Sequence, residues 1–137
     1  MSLPSIGYKI KIIRKFRGMT QKELGLAIGF DEKGADNRVA QYETDYRVPR
    51  KKTLEKIATA LAVSPEMLYA NDGSAETFIR DVFWMEEKDP CVIQTCLQIC
   101  EYLKSWQSKR MNLAEGLISK KEYFEWKLSF PSHRGKE

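Results

Sequence analysis

A short stretch of the chain is rich in side chains that can hydrogen-bond to the edges of DNA bases: Asn37, Arg38, Gln41 and Thr44. At 100° per residue on a helix, Asn37, Gln41 and Thr44 point to one side, Arg38 flanks them, and Val39 and Tyr42 point to the other side. Asn and Gln side chains can pair with adenine, and Arg with guanine, each through two hydrogen bonds. We call these four residues the base-reading face. A plain solvated helix surface is the alternative interpretation.

A cluster of basic residues follows the base-reading face: Arg47, Arg50, Lys51 and Lys52. It precedes the start of the next predicted helix, where free backbone amides and the helix dipole favour a phosphate. Residues 1–72 hold 13 Lys/Arg and 9 Asp/Glu, whereas residues 73–137 hold 10 of each, so the net charge of +4 lies in the first half. This placement favours a first half that binds a polyanion and a neutral second half, with an uneven solvated surface as the alternative.

The segments around the base-reading face and the basic cluster are all predicted to be helices. Thr20 and Glu23 have the spacing of a capping box, which predicts a helix from Thr20 that Gly29 ends. Ser64 followed by Pro65 predicts the start of a short fifth helix. The other apolar stripes at helical spacing are Ile6, Ile10 and Ile13, and Leu54, Ile57, Ala58 and Leu61. We therefore expect an all-α fold in which residues 4–72 form a five-helix domain.

The second half of the chain is also predicted to be helical. An apolar helix contains Phe78 to Phe83, a long helix follows Asp89-Pro90, and Ser119 with Glu122 opens a last helix. We expect residues 73–131 to form a helical region for dimerisation or partner binding, and residues 132–137 to form a polar tail. Cys91, Cys96 and Cys100 lack the spacing of a zinc site and are expected to be core packing residues.

The first half resembles the XRE-type, or lambda-repressor-like, helix-turn-helix regulators. The segments "IRKFRGMTQKELG", "VAQYE", "VPRKKTLEKIATAL" and "SPEML" occur in that family's order and cover about residues 5–70. The resemblance implies that the helix ending at Tyr42-Glu43 is the recognition helix and enters the major groove of double-stranded DNA. It also implies that Thr20 and Gln21 belong to the DNA-binding side, with Gln21 binding a phosphate, and that Arg14 forms an internal salt bridge with Glu43.

One feature departs from the family pattern. The distance from Gly29 to Glu43 is about four residues longer than usual, and the extra residues must lie within "FDEKGAD". They form either an extended turn or an additional N-terminal piece of the recognition helix. Because phosphates would repel Asp31, Glu32 and Asp36, we expect these carboxylates to point away from the DNA backbone or to cap a helix.

The sequence thus predicts a cytoplasmic, DNA-binding transcriptional regulator, most simply a repressor that binds a palindromic operator as a homodimer through residues 73–131. The alternative is a protein-interaction module, such as an antitoxin or phage adaptor, whose C-terminal helices bind a partner protein. A small-molecule effector among Trp84, Tyr102, Trp106, Tyr123 and Trp126 is left open. We expect no enzyme activity, cofactor, metal or membrane segment, since His133 is the only histidine and no nucleophile–base set occurs.

Overall fold

The computed structural model describes residues 3–130, which contain helices and turns but no strand. They divide into two compact units between Pro90 and Cys91. The predicted all-α fold class is confirmed, and the predicted polar tail, residues 132–137, lies outside the described residues. The first unit contains α1 (Ile6–Phe16), α2 (Gln21–Ala27), α3 (Ala35–Glu43), α4 (Lys51–Leu61), a 3-10 turn (Pro65–Met67) and α5 (Ala75–Glu86), and the second contains α6 (Val92–Ala114) and α7 (Lys120–Leu128).

Side-chain caps determine where several helices begin. The Thr20 hydroxyl accepts a hydrogen bond from the Glu23 amide at 3.0 Å, and the Glu23 carboxylate accepts one from the Thr20 amide at 3.0 Å. This is the predicted capping box, and it fixes the start of α2. The fifth helix predicted after Ser64 is shorter than expected, since only one 3-10 turn forms there.

The core of the first unit takes fully buried aliphatic side chains from each of its first four helices: Ile10, Leu24, Val39, Ile57 and Leu61. Burying one such side chain contributes about 1.5–3 kcal/mol. The backbones of α2 and α3 approach closely, because a Cβ atom added to Gly25 would lie 2.6 Å from the Ala35 carbonyl oxygen. Helix α3 is therefore packed directly against α2.

Helix α5 also packs into the first unit. Trp84 is buried, and its indole Nε1 donates to the Met67 carbonyl at 3.4 Å. Lys9 of α1 is buried too, with its Nζ 3.2 Å from the Tyr69 carbonyl and 3.8 Å from an Asp81 carboxylate oxygen. Burial lowers the pKa of Lys9, and Asp81 opposes that shift. Because α5 packs in this way, the first unit extends to Pro90, which is 18 residues beyond the boundary expected between residues 72 and 73.

The second unit is a helical hairpin. Gly116, with a φ of +75°, lies in the turn that joins α6 to α7. The Trp106 indole donates to the Tyr123 hydroxyl at 2.7 Å, and the Tyr102 and Phe130 rings meet edge to face at 4.9 Å. Many large apolar side chains of this unit are nevertheless exposed: Ile93, Leu97, Ile99, Leu103, Trp106, Met111, Leu117, Phe124, Leu128 and Phe130.

Candidate nucleic-acid interface

The recognition helix α3 has a buried side and an exposed side, as its sequence predicts. Val39 is fully buried and Tyr42 is 8% exposed, so both belong to the core. Asn37, Arg38 and Thr44 are exposed and Gln41 is half-buried. The Thr44 hydroxyl donates to the Ala40 carbonyl at 2.9 Å, which leaves its oxygen free only as an acceptor. The base-reading face is thus on the solvent side of a helix whose other side is fixed.

A buried polar group holds the C-terminal end of α3. The Arg14 Nε lies 2.5 Å from one Glu43 carboxylate oxygen, and its Nη2 lies 3.2 Å from the other. Arg14 also donates to the Met19 carbonyl at 2.7 Å. The Gln21 side-chain amide donates to Glu43 at 2.8 Å. Glu43 therefore joins α1, α2 and α3, which places it in the framework rather than on the base-reading face.

Gln21 and Thr20, the two residues assigned to DNA at the start of α2, have internal roles as well. Gln21 is half-buried and bound to Glu43, and exposed Thr20 caps α2. The Gln21 amide has a second hydrogen that this contact does not use, and the first amides of a helix have no intrahelical acceptor. Phosphate contact by these two residues remains a prediction.

The long connection between α2 and α3 is an extended turn of residues 28–34, and no part of it extends the recognition helix. Gly29 has a φ of +96°, and the Phe30 amide donates to the Gly25 carbonyl at 2.9 Å as the chain leaves α2. Lys22 pairs with Glu32 at 3.1 Å across the turn. Since α3 begins at Ala35, Asn37 lies in its first turn and is the first residue of the base-reading face.

The acidic residues of this region are all exposed. Glu32 is paired with Lys22, and an Asp36 carboxylate oxygen accepts the Asn37 amide at 2.8 Å. Acidic residues in the first turn of a helix interact favourably with the helix dipole. Asp36 therefore has a structural reason to be near the base-reading face.

The turn also contains an aromatic residue, Phe30, whose role the local sequence pattern does not reveal. The Arg38 guanidinium carbon lies 3.9 Å from the centroid of the Phe30 ring. The Phe30 ring is half-buried and 6.2 Å from that of Tyr42. The signal that could have revealed it is an aromatic side chain at the start of an otherwise charged, glycine-containing turn.

The four basic residues of the 47–52 cluster are exposed at the N-terminal end of α4. Arg50 is the N-cap residue, and no side chain caps the first amides of α4. The Arg47 amide donates to the Gln41 carbonyl at 3.1 Å, which turns the chain back beside the end of α3. The cluster is therefore tied by backbone to the same end of the recognition helix.

A family of known proteins matches the part of the chain that contains this geometry. A family model described as helix-turn-helix matches residues 10–68. The crystal structure of the transcriptional regulator BswR is 30% identical in sequence, and the match covers 64% of this chain and 92% of that one with a TM-score of 0.47. Comparison with curated proteins gave no match.

The first unit is therefore a helix-turn-helix DNA-binding domain. Residues 10–68 belong to the XRE-type helix-turn-helix family, which makes the first unit a DNA-binding domain of the kind found in transcriptional regulators.

The structure also shows where the three cysteines and Trp84 lie. Cys91 and Cys100 are exposed and Cys96 is partly exposed, so the expectation of core packing was wrong for this chain by itself. Trp84 is 6% exposed and belongs to the core of the first unit, where its ring meets that of Tyr8 edge to face.

An open groove of about 260 Å³ does lie between α6 and α7, lined by Tyr102, Trp106, Trp126 and Phe130 among others. Within residues 3–130, no group of three His, Cys, Asp or Glu side chains could hold a metal. No helix in that range is long and apolar enough to cross a membrane.

Proposed function

We propose that this protein is a sequence-specific repressor that binds a palindromic operator as a homodimer, with Asn37, Arg38 and Gln41 contacting bases. The observation that carries the proposal is the arrangement of α3, which turns these side chains to solvent while Val39 and Tyr42 anchor its other side. A helix held in this way can enter the major groove without rearrangement of its backbone.

The basic cluster supplies a sequence-independent part of the binding. Arg47, Arg50, Lys51 and Lys52 are exposed, and none forms a salt bridge within the described residues. Three basic residues of the first helix and its C-cap are different. Lys9 and Arg14 contact Asp81 and Glu43, and Arg17 donates to the Leu61 and Ala62 carbonyls. Lys11 and Lys15 of α1 are exposed as well, but the 47–52 cluster is the basic group that lies beside the end of α3, where it would neutralise phosphates.

The second unit supports the homodimer. Leu97 is 56% exposed, Leu103 48% and Phe124 58%, although their helices already pack against each other. Monomeric proteins rarely leave so many large apolar side chains uncovered on one region. A second copy would cover them, and two-fold symmetry would place two recognition helices about one DNA turn apart. Repression then follows wherever such an operator overlaps a promoter.

The test of base reading is selection of bound DNA from a random pool, followed by affinity measurements on the selected site. We expect a two-fold symmetric site and an affinity that falls steeply with salt. Changing Asn37, Arg38 and Gln41 together to alanine should abolish discrimination between sequences. The matched variant Lys51→Ala/Lys52→Ala should weaken binding to every sequence by a similar factor and reduce the salt dependence. Survival of specific binding in the triple variant would contradict the assignment.

The test of the homodimer is sedimentation of the full chain with a Leu97→Lys/Leu103→Lys variant beside it. We expect the unchanged chain to be dimeric and the variant to be monomeric, with the palindrome bound no more tightly than a single half-site. The control variant Lys104→Gln changes an exposed charge of α6 and should stay dimeric. A monomeric unchanged chain would contradict the homodimer and favour a protein-interaction module whose C-terminal helices bind another protein.

A further inference from the structure

The turn between α2 and α3 places an aromatic ring beneath one side chain of the base-reading face. The Arg38 guanidinium carbon is 3.9 Å from the centroid of the Phe30 ring, which is a stacking distance. Arg38 is exposed and forms no salt bridge within residues 3–130. The Phe30 ring is therefore the contact that determines where the Arg38 guanidinium lies.

We propose that Phe30 is a positioning residue for sequence recognition: it holds the Arg38 guanidinium at the edge of the base-reading face in the orientation that contacts a base. The inference rests on the proposed function, because it requires that Arg38 contacts a base. It assigns to the extended turn a role in specificity rather than in joining two helices alone.

The position of Arg38 on α3 explains why it needs such support. At 100° per residue, Arg38 lies between the buried Tyr42 and the half-buried Gln41, at the border of the base-reading face. A long side chain at this border has many rotamers that point along the surface or away from DNA. Stacking on a fixed ring removes most of them before DNA is bound, so less conformational entropy is lost on binding.

Stacking also leaves the hydrogen-bonding groups of Arg38 available. A ring stacked on a guanidinium covers one of its flat faces, whereas the five N–H donors lie in the guanidinium plane and point outward from its edge. An ion pair with a carboxylate would have occupied two of those donors. An aromatic partner therefore restrains the side chain without competing with guanine for its N–H groups.

A backbone hydrogen bond and a neighbouring ring restrain Phe30, and an ion pair restrains the rest of the turn. The Phe30 amide donates to the Gly25 carbonyl at 2.9 Å, and the ring packs 6.2 Å from that of Tyr42. On the far side of the turn, Glu32 pairs with Lys22 at 3.1 Å. A turn of three or four residues, common in helix-turn-helix motifs, would contain fewer positions at which a ring could reach the side of α3.

The experiment measures binding of the full chain to the selected operator and to a set of operators that differ from it at single base pairs. The variants are Phe30→Leu, which keeps an apolar side chain, Phe30→Trp, which keeps a stacking ring, Arg38→Ala, and the double variant Phe30→Leu/Arg38→Ala. Thermal unfolding of each variant reports its stability, and non-specific DNA reports its sequence-independent binding.

We expect Phe30→Leu to weaken binding to the selected operator by about 2- to 5-fold per half-site, the size of one exposed cation–π contact. The lost discrimination should fall at the same base pair that Arg38→Ala relaxes, with non-specific affinity unchanged. Phe30→Trp should preserve or sharpen discrimination there, because tryptophan is the strongest cation–π partner. In the Arg38→Ala background, Phe30→Leu should have no further effect on specificity.

Several results would overturn the inference. Equal weakening on all sequences, or the same weakening with and without Arg38, would give Phe30 a purely structural role. If Arg38→Ala relaxes a base pair and Phe30→Leu does not, the inference fails and the proposed function stands. If Arg38→Ala relaxes no position, both the inference and the assignment of Arg38 fail. Should Phe30→Leu unfold, Phe30→Trp decides the question, since loss of discrimination in that stably folded variant contradicts a role for stacking.

Discussion

The buried pair of Arg14 and Glu43 makes the framework of the DNA-binding domain testable. Their side chains are 10% and 3% exposed, and within residues 3–130 the partners of the Glu43 carboxylate are Arg14 and Gln21. Glu43→Ala would leave the Arg14 guanidinium buried with the Met19 carbonyl but no opposing charge. Breaking a buried pair by removing one partner costs about 3–5 kcal/mol. We therefore expect Glu43→Ala to remove a large part of the stability of the first unit.

Thermal unfolding followed by far-ultraviolet circular dichroism measures this loss. For a unit of this size, about 4–8 °C is lost per kcal/mol, so Tm should fall by at least about 12 °C. The matched control is Glu32→Ala, which breaks the Lys22–Glu32 pair, whose side chains are 47% and 78% exposed. An exposed pair contributes at most about 1 kcal/mol, so Tm should move little. If Glu43→Ala costs no more than Glu32→Ala, the framework role of Glu43 is refuted.

Replacement of the buried pair as a whole separates two contributions to that loss. Arg14→Met/Glu43→Leu removes both charges and leaves apolar side chains of similar length. Such replacements are often neutral or stabilising, because the desolvation cost disappears with the charges. We expect the double variant to be more stable than Glu43→Ala. If it is equally unstable, the loss comes from packing of these side chains rather than from an unpaired buried charge.

Two further predictions concern packing and pH. Gly25→Ala would overlap the backbone of α3 and should destabilise the first unit by about 1–3 kcal/mol. Gly34, the N-cap residue of α3, has open space around it, so Gly34→Ala should cost at most about 1 kcal/mol, from the poorer N-cap. Equal melting temperatures would contradict the close approach of α2 and α3. The Ser74 amide, the Ser74 side chain and the Thr77 hydroxyl lower the pKa of Asp72 to about 2, below its ordinary value of 3.8. Its contribution to stability is therefore present above pH 3.8 and lost as the pH falls through 2. Asp72→Asn should flatten that dependence in acid melts, and an unchanged profile would assign it to other groups.

Local patterns in the sequence predicted much of this fold because the signals act over three or four residues. The Thr20–Glu23 capping box and the stripe of Leu54, Ile57 and Leu61 each determine a helix by themselves. The all-α class followed from them, whereas the identity of the recognition helix was implied by the family resemblance. The Arg14–Glu43 contact spans 29 residues and was available only through the family resemblance.

Features that depend on contacts between distant parts of the chain could not be predicted in this way. Packing of Trp84 into the first unit depends on a carbonyl 17 residues away, and the apolar stripe of α5 does not reveal which partner it will meet. The apolar stripe of α6 led to a wrong prediction of burial. It predicted a core location for Cys91 and Cys100, and the hairpin leaves both exposed. An amphipathic pattern predicts that the apolar face of a helix will be covered. It does not tell whether the covering residues come from the same chain or from another molecule.

The positions of the basic residues indicate a DNA-binding surface better than the net charge does. Of the basic residues in the first half, Lys9, Arg14 and Arg17 are committed to internal contacts, so their charges contribute to the count without marking a DNA surface. The 47–52 cluster has no such contacts, and the Arg47–Gln41 backbone hydrogen bond ties it to the end of α3. A phosphate bound there would therefore fix the register of the recognition helix on DNA. On this view, removing charge at Lys51 and Lys52 should alter affinity and salt dependence, whereas discrimination between bases should remain with Asn37, Arg38 and Gln41.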